Sequence, residues 1–221
     1  MKRLLAVLLA AITAAPALAQ ETVDLGTLRK DEVLVVQKIL YPKEDRLEVG
    51  GALGVIVFDP YMVAPKLQLV AGKHLSEQLS VEGELGAGYG LGTGVWRELG
   101  SPAYGVRPEV YRYLGSVTGG VTFSPIYAKM NFMGKQVIHH DVYIPVVGGV
   151  TFEQLAWGEK YLAVSPTLGV GVGVRVFQAG GGAVRIELRD DMLIQNRKQS
   201  GTTAFKQNVG LTIGYSALVE N

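Results

Sequence analysis

Aliphatic residues alternate with glycine or polar residues along most of this sequence, and this alternation limits the folds open to it. In residues 168–177, LGVGVGVRVF, valine alternates with glycine three times before Arg175 takes the position of the next glycine. A period of two residues places the two sets on opposite faces of a β-strand. The sequence therefore predicts strands with one aliphatic face and one face of glycine and charge.

The same alternation predicts eight strands. They span residues 46–58, 62–74, 78–91, 117–132, 137–152, 161–177, 182–197 and 203–217. Strands of soluble proteins are usually about five or six residues long, whereas a tilted strand needs about 9–11 residues to cross a bilayer. The connections also alternate between short and long after the first one, as in outer-membrane barrels. Length and connections both favour a membrane barrel.

Alternation alone is equally compatible with a soluble sandwich or lipocalin, whose charged face would lie outside. Aromatic residues near the strand ends favour the membrane barrel, because such barrels carry aromatic girdles at both interfaces. The expected outer girdle contains Phe58, Tyr61, Tyr89, Phe152 and Tyr161, and the inner one Tyr127, Phe132, Phe177 and Tyr215. Pro125 shifts the alternation and predicts a bulge. Asp190 would face lipid unless it lies above the hydrocarbon or a second bulge turns it inward.

The predicted fold is an all-β, eight-stranded antiparallel up-and-down transmembrane β-barrel over residues 46–217. A barrel of eight strands has a bore only wide enough for side chains to fill it. Luminal glycine leaves room for long charged side chains, and buried charges need partners. The sequence thus predicts a luminal ion-pair network that plugs the barrel. Its members are Glu48, Lys66, Glu82, Glu84, Lys129, Asp141, Arg175, Arg185, Glu187, Arg189, Asp191 and Lys206.

The N-terminal residues 1–19 have two cations, an apolar run and small residues ending at Ala19, which predicts a cleaved secretory signal peptide. Residues 20–45 form a periplasmic segment before the barrel, and residues 218–221 form a C-terminal tail. The stretch DEVLVVQKIL is either an amphipathic helix or an extended run, and its β-branched residues favour the extended form. It is a candidate docking element for a periplasmic partner. Both termini are expected to be periplasmic, with the barrel in the outer membrane of a diderm bacterium.

Composition excludes several function classes. The chain has no cysteine and a net charge of +1, so it lacks a thiolate metal site and the charge typical of nucleic-acid binding. The glycines of GAGYGLGTG (86–94) fit small luminal residues better than a phosphate loop, because no helix is predicted to follow. The adjacent His139 and His140 point to opposite faces of a strand. We expect no cofactor, no metal site and no catalytic residue.

The stretch 92–116 is the longest predicted exposed loop. Tryptophan, tyrosine and arginine are enriched in binding hot spots, and this loop and the next long one hold several. The possible partner-binding residues are Trp96, Arg97, Tyr104, Arg107, Tyr111, Arg112 and Trp157. An equally good interpretation is that the aromatics belong to a girdle and that the arginines contact lipopolysaccharide.

Several short motifs resemble the outer-membrane β-barrel domain proteins common in myxobacteria. They are VVQKILYPKEDRLEV (35–49), VFDPYM (57–62), FSPIYAKMNF (123–132), HHDVYIPVVGGV (139–150), GVGVRVF (171–177) and RIELRDDML (185–193). The resemblance covers roughly residues 33–216 and implies a small barrel within an envelope-spanning machine for gliding motility or spore-coat assembly. NVGLTIGY (208–215) also resembles the β-signal read by the barrel-assembly machinery, through Asn208, Gly210, Ile213 and Tyr215. Six further residues follow it, unlike the usual pattern.

The sequence therefore predicts a non-enzymatic anchor or scaffold of an envelope complex. Its expected partners are outer-membrane lipid, lipopolysaccharide, the barrel-assembly machinery and other envelope proteins, with no nucleic acid. A small solute channel is the main alternative, and an outer-membrane lipid-modifying hydrolase is a further one.

Overall fold

The computed structural model describes residues 41–57, 59–132, 136–178 and 180–219. The chain divides into two units after Ile39, and every described residue belongs to the second unit. The predicted signal peptide and residues 20–40 of the predicted periplasmic segment lie outside the described residues. The elements are β1 (Leu47–Val57), β2 (Met62–His74), β3 (Leu79–Gly88), β4 (Leu91–Gly92), α1 (Gly94–Leu99), β5 (Tyr111–Phe132), β6 (Gln136–Leu155), β7 (Leu162–Gln178), β8 (Gly182–Asn196) and β9 (Thr203–Val219).

Eight long antiparallel strands close into a ring. The order is β1-β2-β3-β5-β6-β7-β8-β9, and β9 pairs back onto β1 from Val57↔Val209 to Leu47↔Val219. The two-residue β4 only extends the edge of β2. We call the end where β1 begins and β9 finishes the terminal end, and the opposite end, which carries α1, the loop end. Within the described residues, no helix is long and apolar enough to cross a bilayer.

The wall of the ring has its apolar side chains outside and its charged side chains inside. Leu53 on β1 is 66% exposed, whereas Glu48 on the same strand is 2% exposed. Arg175 on β7 is 1% exposed between outward-facing valines. An aliphatic exterior around a polar interior is the arrangement of membrane barrels rather than of soluble sandwiches. The predicted fold class is therefore confirmed.

Irregularities concentrate on β5. Its register with β6 shifts between Phe123 and Ile126, so the bulge predicted from Pro125 is present. A second shift lies between Tyr113 and Gly115. This shift interrupts the alternation, so the alternation predicted a start at residue 117, whereas the strand begins at Tyr111. The predicted loop 92–116 is correspondingly shorter.

Asp190 faces outward without a bulge. The pairing of β8 with both β7 and β9 runs through Asp190 without interruption. Its Oδ2 accepts a hydrogen bond of 2.9 Å from Nε2 of Gln207, which is exposed on β9. Leu188 and Met192 flank Asp190 on the same face, so apolar residues lie on both sides of this polar pair.

The aromatic residues at the terminal end do not all form a girdle. Tyr215 faces outward, but Phe177 is buried in the bore and Tyr127 donates or accepts a 3.0 Å hydrogen bond with Nδ1 of the buried His139. Placing Phe177 and Tyr127 in the inner girdle was wrong, because an aromatic at a strand end has the same sequence signature whichever way it points. At the loop end Tyr89 is outward, whereas Tyr161 packs against the buried Tyr111. Phe58 and the side chain of Phe132 lie outside the described residues.

Candidate functional site: the luminal network and the loop end

Glu48 is the centre of the network near the terminal end. Its carboxylate receives Nη1 of Arg175 at 2.6 Å and Nη1 of Arg185 at 3.0 Å. Nε2 of His74 lies 2.8 Å from the same carboxylate. These four side chains come from β1, β2, β7 and β8, so their contacts cross the bore rather than follow one strand. A buried anion with several charge-assisted partners meets the requirement for placing charge away from water.

Arg175 also binds a second carboxylate. Its Nε lies 3.1 Å from Asp141 on β6, and its Nη2 donates to Ser124 on β5 at 2.8 Å. Asp141 is completed by Nζ of Lys43 at 2.6 Å. Lys43 precedes β1 and is fully buried, so part of the predicted periplasmic segment 20–45 enters the barrel. The alternation does not identify Lys43, because it lies before the first strand.

Tyr143 occupies the middle of the bore. A Cβ added to Gly173 would collide with its ring, so this glycine on β7 provides the space in which the ring lies. The guanidinium carbons of Arg175 and Arg185 lie 4.7 and 4.9 Å from the ring centroid, within cation–π range. The Tyr143 hydroxyl donates to Glu187 at 3.0 Å. Arg185 additionally binds Glu82 at 3.0 Å. The glycine before Arg175 on β7 therefore provides space for the Tyr143 ring, over which Arg175 lies.

Arg189 forms the next layer toward the loop end. Its Nη1 lies 2.7 Å from Glu84 and 3.3 Å from Glu187. Its Nε lies 3.0 Å from Asp191, an ion pair whose orientation does not make a hydrogen bond. A Cβ added to Gly171 would lie 2.9 Å from the Arg189 Cβ. The Arg189 side chain therefore occupies the space that a side chain at position 171 would need.

A smaller cluster lies nearest the loop end. Lys206 binds Glu153 at 2.8 Å and Asp59 at 3.5 Å. Gln195 donates to the other oxygen of Glu153. The mouth beside this cluster contains a cavity of about 440 Å³ whose lining includes Asp59, Glu109 and Lys206. Deeper in the bore, a cavity beside Gln68, Tyr143 and Arg185 measures only about 10 Å³. That is about the minimum that one water molecule needs.

The structure brings most of the predicted network together. Ten of its residues are buried in the bore: Glu48, Lys66, Glu82, Glu84, Asp141, Arg175, Arg185, Glu187, Arg189 and Asp191. Lys206 is slightly more exposed. Lys129 lies on the bore face, opposite His139 in the register, but its side chain is exposed near the end of β5 rather than buried with the other ten. Five further residues that the sequence did not identify are buried with the network: Lys43, His74, Tyr143, Glu153 and Gln195.

The loop-end residues are in several environments. Trp96 and Arg97 lie on α1, where the Thr93 side chain caps the first turn, and with Arg107 they line a cleft of about 200 Å³. Tyr104 is exposed. Arg112 donates to the Tyr89 hydroxyl at 2.6 Å, and Trp157 donates to the Pro108 carbonyl at 2.9 Å. Assigning Tyr111 to an exposed partner-binding loop was wrong, because it is 1% exposed inside the barrel.

The β-signal residues lie in the middle and terminal part of β9. Asn208 and Gly210 face the bore, while Ile213 and Tyr215 face outward and are about half exposed. β9 continues to Val219, so the first two residues of the predicted tail belong to the strand. The last two residues lie outside the described residues.

The described residues contain no cluster of three or more histidine, cysteine, aspartate or glutamate residues arranged to hold a metal. His139 faces the bore, and the half-buried His140 belongs to the opposite face of β6. The arginine and lysine side chains in the bore neutralise the carboxylates beside them.

No protein-family model matches the sequence, and no curated protein matches it. Among solved structures, Neisserial surface protein A is 11% identical, with a TM-score of 0.46 over 79% of this chain and 96% of that one. The N-terminal β-barrel domain of Pseudomonas aeruginosa OprF is 9% identical, with a TM-score of 0.44 over 78% and 98%. Ail, the attachment invasion locus protein of Yersinia pestis, is 14% identical, with a TM-score of 0.37 over 79% and 98%. Similarities this low indicate nothing about function.

Proposed function

We propose that this protein is a closed outer-membrane barrel that anchors or scaffolds an envelope-spanning complex and has no enzymatic role. The observation that carries the proposal is the network around Glu48, Arg175 and Arg185, which crosses the bore with buried ion pairs of 2.6–3.0 Å. Breaking such pairs to admit a solute would leave uncompensated charges in a narrow space. The aliphatic exterior supports residence in a bilayer, and the predicted signal peptide supports export.

Planar-bilayer recordings test the closed state. We expect no steady openings from the purified protein, because the network and the Tyr143 ring fill the bore. A variant with Glu48, Glu82, Arg175 and Arg185 all replaced by serine is the control that should open, because it removes two anions and two cations together without changing the exterior. Steady large openings from the unmodified protein would instead establish the solute channel.

The place in an envelope complex, with motility or surface assembly as its purpose, is the finer part of the proposal. It is supported by the motifs that resemble myxobacterial barrel proteins and by the candidate docking segment within residues 20–40. Affinity purification from native membranes, with and without residues 21–40, tests it. We expect envelope proteins to co-purify only when the segment is present, and identical recoveries would contradict this part of the proposal.

Incubation of the purified barrel with lipid A and phospholipid tests the alternative that the protein is a lipid-modifying hydrolase. We expect both lipids to keep all their acyl chains.

We further propose that the loop end contacts lipopolysaccharide. The cleft of Trp96, Arg97 and Arg107 supports this, because guanidinium groups suit phosphate and an indole suits the polar–apolar boundary. The R97Q/R107Q double variant should bind lipopolysaccharide more weakly in a salt-dependent assay. Lys73, exposed at the opposite end of the barrel, provides the matched K73Q control.

A further inference from the structure

The outward pair of Asp190 and Gln207 conflicts with a lipid environment, because it places polar groups on the apolar face of β8 and β9. Asp190 has Leu188 and Met192 beside it on β8, and it lies four residues from Ile194 toward the loop end. Four strand residues span about 13 Å, so apolar wall extends in both directions from the carboxyl group. Ionisable residues at such positions are costly and usually mark functional contacts.

The intramolecular contacts of this pair are incomplete. Asp190 Oδ2 accepts the Gln207 amide at 2.9 Å, while Oδ1 is enclosed by the wall and has no hydrogen-bond partner in the described part of the chain. Gln207 is exposed and makes no other hydrogen bond with described residues. A glutamine amide has two N–H donors and a carbonyl acceptor. One donor and the acceptor of Gln207 are therefore available to a second surface.

An apolar groove adjoins the pair. It measures about 280 Å³ and is lined by Pro166, Leu168, Met192, Ile194 and Phe205, together with Gly149 and Thr167. Phe205 is 65% exposed, among the most exposed large apolar side chains of the barrel. The wall of β7, β8 and β9 thus combines a concave apolar surface, a protruding aromatic ring and a polar pair.

We propose that this surface, the β7–β9 wall, binds a second copy of the same chain inside the membrane. Gln207 has a free donor and a free acceptor, so the Gln207 side chains of two copies can exchange a pair of hydrogen bonds, as a two-fold interface requires, while each Asp190 holds its own Gln207 in place. All copies insert to the same depth, so a two-fold axis along the membrane normal brings the two polar pairs together at one level. Phe205 of each copy then packs against the apolar groove of the other. The dimer requires only a bilayer location and is independent of any envelope partner.

Disulfide cross-linking tests the dimer, because the chain contains no cysteine. Val209, which pairs with Asp190 in register, would be changed to cysteine on the proposed interface. Leu85 on β3, across the ring and outward-facing, provides the control L85C. Under mild oxidation of native membranes we expect V209C to give a dimer band at least ten times stronger than L85C. Equal bands, or no V209C dimer, would overturn the proposal, as would a V209C adduct only with another protein.

A second variant tests whether the polar pair causes the association. Adding Asp190→Leu and Gln207→Leu to V209C removes both polar groups from the wall while keeping it apolar. We expect at least a five-fold loss of the dimer band with an unchanged heat-modifiable monomer. An undiminished band in this variant would show that the pair has no part in the contact and would overturn its assigned role.

Discussion

At the residue scale, luminal glycine acts by accommodating a particular neighbour. The Tyr143 ring occupies the space that a side chain at Gly173 would need. The guanidinium groups of Arg175 and Arg185 lie over this ring. One missing Cβ on β7 therefore determines where two cations can lie. Gly148 on β6 faces outward instead, and nothing described lies within 4 Å of a Cβ added there.

Replacing Gly173 by alanine should destabilise the barrel by about 1–3 kcal/mol, the usual cost of overpacking. The added methyl group would displace Tyr143 and disturb its contacts with both arginines. Gly148→Ala is the matched control and should change the free energy of unfolding very little. Urea unfolding in detergent measures both. In the Tyr143→Leu background the cost of Gly173→Ala should shrink, and an additive double-mutant cycle would contradict the coupling.

Replacing Arg175 by methionine should be among the most damaging single changes. It removes the cation that Glu48 and Asp141 share and leaves carboxylates short of partners, at a cost of about 3–5 kcal/mol. Lys73→Met is the control, because its 3.6 Å pair with Asp45 is exposed and such pairs contribute about 1 kcal/mol or less. Equal unfolding midpoints for the two variants would show that the network does not stabilise the fold.

At the element scale, the number of long strands and the face on which each side chain lies were predictable, because the alternation has a fixed period. The bulge at Pro125 was predictable as well, because proline cannot donate a hydrogen bond within the sheet. The start of β5 was not predictable. The bulge between Tyr113 and Gly115 has no proline to mark it, and the inward tyrosines at 111 and 113 look like loop aromatics in the sequence. The facing of Lys129 was predictable, since it lies opposite the bore-facing His139, but the alternation does not show that this end of β5 leaves the side chain exposed.

The connections at the loop end are joined by Glu109. Its carboxylate accepts the amides of Gln199 and Ser200 at 2.8 and 2.9 Å, and the Tyr111 hydroxyl at 2.7 Å. Slight burial raises the pKa of Glu109, but the hydrogen bonds from Gln199, Tyr111 and Ser200 outweigh it and hold the pKa below its usual value of 4.5. This link between the β3–β5 and β8–β9 connections needs the ionised carboxylate.

Acid should release the β8–β9 connection. Because the folded pKa is lowered, the stabilisation is complete above the ordinary value and is lost as the pH falls through the folded one. In NMR spectra of the protein in micelles, the amide resonances of Gln199 and Ser200 should titrate together with a midpoint below 4.5. Glu109→Gln should abolish that titration. Persistence of the titration in this variant, or a midpoint above 4.5, would contradict the assignment.

At the scale of the whole molecule, the network's membership was largely predictable, whereas its pairing was not. The alternation along a strand identifies which charged side chains face inward. It does not identify contacts such as that of Glu48 with Arg185, because these residues lie on strands that only the closure of the ring brings together. A pattern of formal charges does not identify His74 and Tyr143, because a neutral imidazole and a phenol carry no formal charge. Lys43 lies before the first strand, where no period marks it.

Lys43 marks the boundary between the barrel and the segment preceding it. Glu77 accepts the Lys43 amide at 3.0 Å, and Tyr41 stacks on Phe177 at 5.6 Å, so these residues close the terminal end. Deleting residues 21–40 should leave the urea midpoint unchanged, whereas Lys43→Met should lower stability by about 1–3 kcal/mol, since Asp141 keeps Arg175 but loses one partner. The exposed neighbour Glu44→Gln is the control. If the deletion destabilised the barrel as much as Lys43→Met, residues 21–40 would belong to its stable core, and their loss could not be used to test partner binding alone.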